Sequence, residues 1–109
     1  MDSIQYLQMA KEKLNVQSDY ALAPHLGVTR SAVSKVVTGR STLGDETAIK
    51  VADILGLPRA AVLADVYAER EKNPEIAAVW KSVWEKFSLG FDALLLHGFS
   101  RTLLKGAVR

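Results

Sequence analysis

Four polar side chains recur along one side of a short stretch in the first third of the chain. They are Arg30, Ser31, Ser34 and Lys35, at spacings that place them together on a helix. Arginine and lysine can donate hydrogen bonds to guanine O6 and N7, and serine hydroxyls can contact base edges or phosphates. The chemistry favours nucleic-acid recognition, with Arg30 and Lys35 as the main base contacts and the two serines as secondary ones.

The pattern of residues 19–38 predicts two short helices joined by a tight turn. Gly27 can adopt the left-handed backbone that ends the first helix, and the Thr29 hydroxyl can cap the second. Val33 and Val36 fall on the side of the second helix that faces the core. The polar side chains then point outward, as in the helix of a helix-turn-helix that enters the major groove.

Contacts with the phosphate backbone are expected from residues that flank the second helix. Such contacts position a protein on DNA without specifying its sequence. Hydroxyl groups, guanidinium groups and the free N–H groups at a helix start suit this purpose. The expected backbone contacts are Ser18, Thr29, Thr38, Arg40, Ser41 and Thr42.

Apolar residues recur at spacings of three and four from one end of the chain to the other, whereas alternating patterns do not persist. The fold class is therefore predicted to be all-α. Capping residues, glycines and prolines divide the chain into helices over about residues 3–14, 19–26, 30–38, 45–55 and 58–72, with a sixth beginning at residue 73 or 74. Pro24 interrupts the second helix, because an interior proline costs about 3 kcal/mol. That helix is expected to be bent or to start irregularly.

The chain resembles the lambda-repressor-like class of helix-turn-helix proteins, the phage Cro and repressor group. The residues that carry the resemblance are Ala23, Gly27, Val28, Val33, Ser34 and Val36, followed by Thr38, Gly39 and Arg40. Residues 45–57 also resemble that family's fourth helix. The resemblance covers about residues 1–70, and residues 63–75 further resemble small phage-related proteins with such a domain.

This resemblance implies a five-helix domain that binds operator-like DNA as a dimer. The positions that match the family's base contacts are Arg30, Ser31 and Lys35, with Thr29 nearby. We therefore assign residues 1–72 to a helix-turn-helix DNA-binding domain and residues 73–109 to an additional C-terminal helical tail.

The tail carries the most regular amphipathic pattern in the chain. Large aromatic side chains on one helix face can anchor two subunits, and a two-fold operator requires two copies. The expected dimer or partner interface is Ile76, Val79, Trp80, Val83, Trp84 and Phe87.

Other roles for the tail stay open. The same apolar face can pack on its own domain or bind another protein. A membrane surface is the least favoured partner, and the segment after Gly90 is too interrupted by polar residues to indicate a transmembrane span. The residues that suit an interface of this kind are Leu94, Leu95, Leu96 and Phe99, with Arg101, Lys105 and Arg109.

The composition limits the remaining functions. The chain has 109 residues, a formal net charge of +2 and no cysteine. This size suits one small domain, the mild basicity permits nucleic-acid binding, and the lack of thiols excludes disulfides and thiolate metal sites. The charged N-terminal stretch lacks the features of a signal peptide, so a cytoplasmic protein is expected.

The sequence does not favour an enzyme, a metal site or a cofactor. His25 and His97 lack ligands at metal-binding spacing, and Glu69, Glu71 and Glu75 do not form an acid and base pair. No glycine-rich phosphate loop or nucleophile motif is present.

The sequence predicts a DNA-binding transcriptional regulator of phage or prophage type, a repressor that binds a two-fold operator as a homodimer. One alternative is an antitoxin that represses its own operon and binds a toxin through the tail. Another is a protein-interaction module that does not bind DNA, in which the helix-turn-helix fold is kept as a scaffold and the tail is the working surface. Residues 19–38 can also be an ordinary helical hairpin whose polar side is merely solvated.

Overall fold

The computed structural model describes the backbone of residues 1–96 and the side chains of residues 1–87. Within that part of the chain every regular element is helical, which confirms the all-α prediction. The helices are α1 (Ser3–Leu14), α2 (Leu22–Leu26), α3 (Arg30–Val37), α4 (Asp45–Leu55), α5 (Arg59–Arg70) and α6 (Pro74–Leu96), with a 3-10 turn at Asp19–Ala21 before α2.

Local interactions explain where α1 begins and ends. The Asp2 carboxylate accepts a hydrogen bond from the Gln5 backbone N–H at 2.8 Å, and the Gln5 side chain accepts one from the Asp2 N–H at 2.9 Å. This reciprocal pair satisfies two of the N–H groups that a helix start leaves without partners. At the other end Asn15 adopts a left-handed conformation, with φ of 54°. Both ends agree with the sequence prediction.

Pro24 does not lie in a helix interior, so that part of the prediction was wrong. The chain enters through the 3-10 turn, and α2 begins only at Leu22, which leaves Pro24 in the first turn of α2. A first-turn residue has no N–H partner within the helix, so a proline costs little there. The irregular start expected from Pro24 is confirmed.

Helices α1 to α5 enclose one hydrophobic core. Its largest fully buried side chains include Tyr6, Leu7, Leu22, Leu26, Val33, Leu43, Val51, Leu55, Val62 and Val66. On α1 the side chains of Tyr6, Leu7 and Ala10 are buried, whereas Ile4 is 36% exposed. The buried Tyr6 hydroxyl has a polar partner, since it donates to the Asp65 carboxylate at 2.7 Å. Burial, followed by this hydrogen bond and the nearby carboxylate charges, raises the pKa of Tyr6.

Helix α6 packs along α5 and reaches α1 through Trp84. Trp80 meets Tyr67 of α5 edge to face, with ring centroids 5.1 Å apart, and Trp84 meets Tyr6 of α1 at 6.4 Å. Edge-to-face pairs at these distances contribute beyond the area that they bury. The two tryptophans therefore attach the described part of the tail to its own domain.

Candidate nucleic-acid interface

Helix α3 is held at a fixed angle to α2 by its turn. Gly27 has φ of 66°, and the Thr29 hydroxyl accepts a hydrogen bond from the Ala32 N–H at 3.0 Å. The Lys50 ammonium of α4 donates to the carbonyl of Leu26 at 3.2 Å, which places a cation at the C-terminal end of α2. The predicted turn and cap are confirmed.

The outward side of α3 carries the expected base-contacting residues. Arg30, Ser31 and Lys35 are exposed, whereas Ser34 is half-buried. Val33 and Val36, on the opposite side of the helix, are buried at 2% and 6% exposure. The helix thus presents two cations and a small hydroxyl residue to solvent, and the groups that suit a base edge share one surface.

In the loop of residues 38–44, the α3–α4 loop, the Thr38 hydroxyl is already engaged in hydrogen bonds within the protein. The Thr38 hydroxyl donates to the carbonyl of Ser34 at 2.7 Å and accepts from Arg40 Nε at 3.2 Å. Its single proton is engaged, so Thr38 is poorly placed for the phosphate contact expected from sequence. The arginine that it orients is exposed.

Ser41 and Thr42 lie beside α3. Together with Ser31 and Lys35 they line a groove of about 190 Å³ between α3 and the loop. Ser41 is exposed and Thr42 is half-buried. The structure therefore brings these loop residues next to two of the expected base-contacting residues.

Ser18 lies at the other side of the candidate surface, before the 3-10 turn. Its hydroxyl accepts from the Ala21 N–H at 3.2 Å, and the residue is exposed. Neighbouring Asp19 pairs with Lys11 at 3.2 Å, which compensates a negative charge beside a position expected to contact phosphate.

Arg70 at the end of α5 is not among the site residues predicted from the sequence. Its Nε donates to the Thr42 hydroxyl at 3.0 Å, and its Nη2 donates to the Leu43 carbonyl and to Asp45 at 3.0 Å. Hydrogen bonds from Arg70 and then from Tyr67 lower the pKa of Asp45. These contacts join residues more than 20 positions apart, so no local pattern indicates them.

Of the other side chains that could serve catalysis or metal binding, one forms a hydrogen bond to α1 and another is exposed to solvent. Glu69 accepts the Ser3 hydroxyl at 2.6 Å, and His25 is exposed. Within residues 1–87 no three metal-ligating side chains come together. His97 and the expected apolar and basic positions Phe99, Arg101, Lys105 and Arg109 lie outside the described residues, as do the side chains of Leu94, Leu95 and Leu96. None of the described helices is long and apolar enough to cross a membrane.

Residues 7–62, which include all of this surface except Arg70, match the family model described as helix-turn-helix. The chain belongs to the helix-turn-helix family. Residues 63–106 of this helix-turn-helix protein match a second model, described as phage related protein. A relative, the uncharacterized protein Gp-c of Pseudoalteromonas phage PM2, is 32% identical over 83 residues, covering 72% of this chain and 90% of the relative. No solved structure matches the chain.

Membership in the lambda-repressor-like class agrees with the resemblance inferred from residues 23–40. The family fold is that of DNA-binding regulators and is not typically enzymatic. The family match and the phage-related match together identify this protein as a DNA-binding regulator of phage type. The boundary between the two matched regions, after residue 62, lies within α5.

Proposed function

We propose that this chain is a sequence-specific transcriptional repressor that binds a two-fold operator as a homodimer, in the cytoplasm and without a cofactor. The observation that carries the proposal is the exposed side of α3, where Arg30, Ser31 and Lys35 share one surface. A helix of this kind can insert its N-terminal half into the major groove. Arg30 and Lys35 would then contact guanine edges, with Ser31 and Ser34 close to the bases.

The phosphate contacts of the proposed complex come from both ends of the same surface. Ser18 and Thr29 lie at the start of this surface. Each hydroxyl oxygen accepts a hydrogen bond from a backbone N–H, so each hydroxyl still has its proton to donate to a phosphate. Arg40 and Ser41 lie at the other end and are exposed. Thr38 contributes by orienting Arg40, because its own hydroxyl is engaged.

The dimer contact is proposed to use the outer edge of α6. Trp80 and Trp84 pack on their own domain, but Ile76, Val79 and Phe87 are 44%, 60% and 46% exposed. These three and half-buried Val83 follow one another around the helix next to the packed edge. Burying this apolar strip against a second copy would extend the existing core.

Selection of bound sites from random duplex DNA tests this proposal most directly. We expect enriched sites with two inverted half-sites at a fixed spacing, because a two-fold dimer reads DNA in this way. Enrichment of a single half-site would contradict the dimer, and no enrichment would contradict sequence-specific binding. Co-purification of a second small protein on the tail would favour the antitoxin alternative.

A further inference from the structure

The α3–α4 loop is fixed from two sides by helices outside the helix-turn-helix. The Ser3 hydroxyl of α1 accepts the Leu43 N–H at 2.9 Å, and Arg70 of α5 donates to the Leu43 carbonyl. Leu43 itself is 2% exposed. The backbone around Thr42 is thereby fixed before any DNA arrives.

The hydrogen bond between Arg70 and Thr42 determines what the threonine hydroxyl can do. A hydroxyl has one proton to donate and lone pairs to accept with. Because Arg70 Nε donates to it at 3.0 Å, the oxygen is an acceptor in this pair and its proton remains for another group. Among the described residues no acceptor takes that proton, in contrast to Thr38, whose proton goes to Ser34.

Arg70 also compensates the acidic side chain nearest to Thr42 in the hydrogen-bond network. Its Nη2 lies 3.0 Å from the Asp45 carboxylate, which also accepts the Tyr67 hydroxyl at 3.0 Å. An uncompensated carboxylate beside a phosphate would repel it. The guanidinium forms several fixed hydrogen bonds at once, which a lysine ammonium on a flexible stem does not reproduce.

We propose that Arg70 is a positioning residue for DNA-backbone binding, which holds Thr42 so that its hydroxyl donates to a DNA phosphate. The inference rests on the proposed function. Arg70 acts through Thr42 and Asp45, and not by contacting the duplex. It makes α5, outside the helix-turn-helix itself, part of the DNA-binding machinery.

The test measures equilibrium binding of the full chain to its selected duplex and to an unrelated duplex. Arg70→Lys keeps the charge but loses the fixed geometry, and Thr42→Val removes the hydroxyl at similar volume. Each is expected to lose about tenfold in affinity on both duplexes, because a phosphate contact carries no sequence information. The double variant should bind no more weakly than either single variant, since both lose the same contact.

Two variants serve as controls. Thr42→Ser keeps the hydroxyl and should retain wild-type affinity. Arg59→Lys alters another exposed arginine of α5, which forms a two-point pair with Asp53 at 2.9 and 2.8 Å. That pair does not touch the loop, so its loss should leave DNA binding unchanged.

Three outcomes would overturn the inference while leaving the proposed function intact: wild-type affinity in Arg70→Lys, wild-type affinity in Thr42→Val, or losses that add in the double variant. Additive losses would mean that Arg70 supports the fold without acting through Thr42. If the wild-type chain binds neither duplex, the proposed function itself fails and the inference fails with it.

Discussion

The guanidinium of Arg30 lies over the ring of Tyr20, 4.8 Å from the ring centroid. Tyr20 belongs to the 3-10 turn before α2 and is 44% exposed, although large aromatic side chains are usually more buried. The contact restricts the exposed side chain of Arg30 at the N-terminus of α3. A side chain that is already ordered loses less conformational entropy when it binds.

Tyr20→Leu should therefore weaken binding to the selected duplex by about threefold, the equivalent of an exposed cation–π contact of roughly 0.5–1 kcal/mol. Tyr20→Phe keeps the ring and should bind as the wild type does. Competition titrations with the selected duplex measure both. Equal losses in the two variants would indicate that the Tyr20 hydroxyl, and not the ring, matters.

Replacing the base-contacting residues should change specificity as well as affinity. Arg30→Ala or Lys35→Ala is expected to cost about 1–3 kcal/mol on the preferred duplex and to relax the preference at one base pair. Repeating the selection with each variant measures this. If a variant loses equally on all sequences, that residue contacts phosphate instead.

Arg40→Ala provides the comparison, because Arg40 lies in the α3–α4 loop and is expected to contact phosphate. Its loss should be similar on all duplexes and should reduce the slope of log affinity against log salt by about 0.9. Titrations at several salt concentrations measure that slope. An unchanged slope would remove Arg40 from the phosphate contacts.

Local signals in the sequence were enough to predict the helix-turn-helix. Gly27 and Thr29 act on residues within one helical turn, so their effects can be inferred from neighbouring residues alone. The spacing of Val33 and Val36 predicted which side of α3 is exposed, because this pattern also involves only neighbouring residues.

Features that depend on distant partners could not be predicted in this way. The buried Tyr6 hydroxyl donates to Asp65, 59 positions away, and Arg70 reaches back to Thr42 across 28 positions. The tail pattern predicted an apolar face, but not that Trp80 would pack on Tyr67 of its own domain. Such pairings depend on how helices meet, which periodicity does not specify.

The Tyr6 pair makes the stability of the fold depend on alkaline pH. The pKa of Tyr6 is raised in the folded protein above its ordinary value of 10.0, mainly by burial. The unfolded chain therefore ionises first, and the stability contributed by the protonated hydroxyl is fully present below about pH 10 and is lost as pH rises further. Thermal unfolding across this range should show a falling midpoint.

Tyr6→Phe separates this effect from general alkaline denaturation. The variant should lose about 1 kcal/mol at neutral pH, because Asp65 loses one hydrogen bond, but its stability should fall less steeply above about pH 10. Parallel slopes for the variant and the wild type would show that Tyr6 does not govern the alkaline transition.

The outer edge of α6 can be tested apart from its packed edge. Val79→Glu places a charge within the exposed strip and should shift the chain from dimer to monomer in light scattering, because burying an unpaired carboxylate is costly. Ala78→Glu introduces the same charge at an exposed position outside the strip and should leave the dimer intact. A monomeric wild type, or equal behaviour of the two variants, would contradict the proposed interface. If the dimer dissociates, affinity for the two-half-site duplex should fall while binding to one half-site persists.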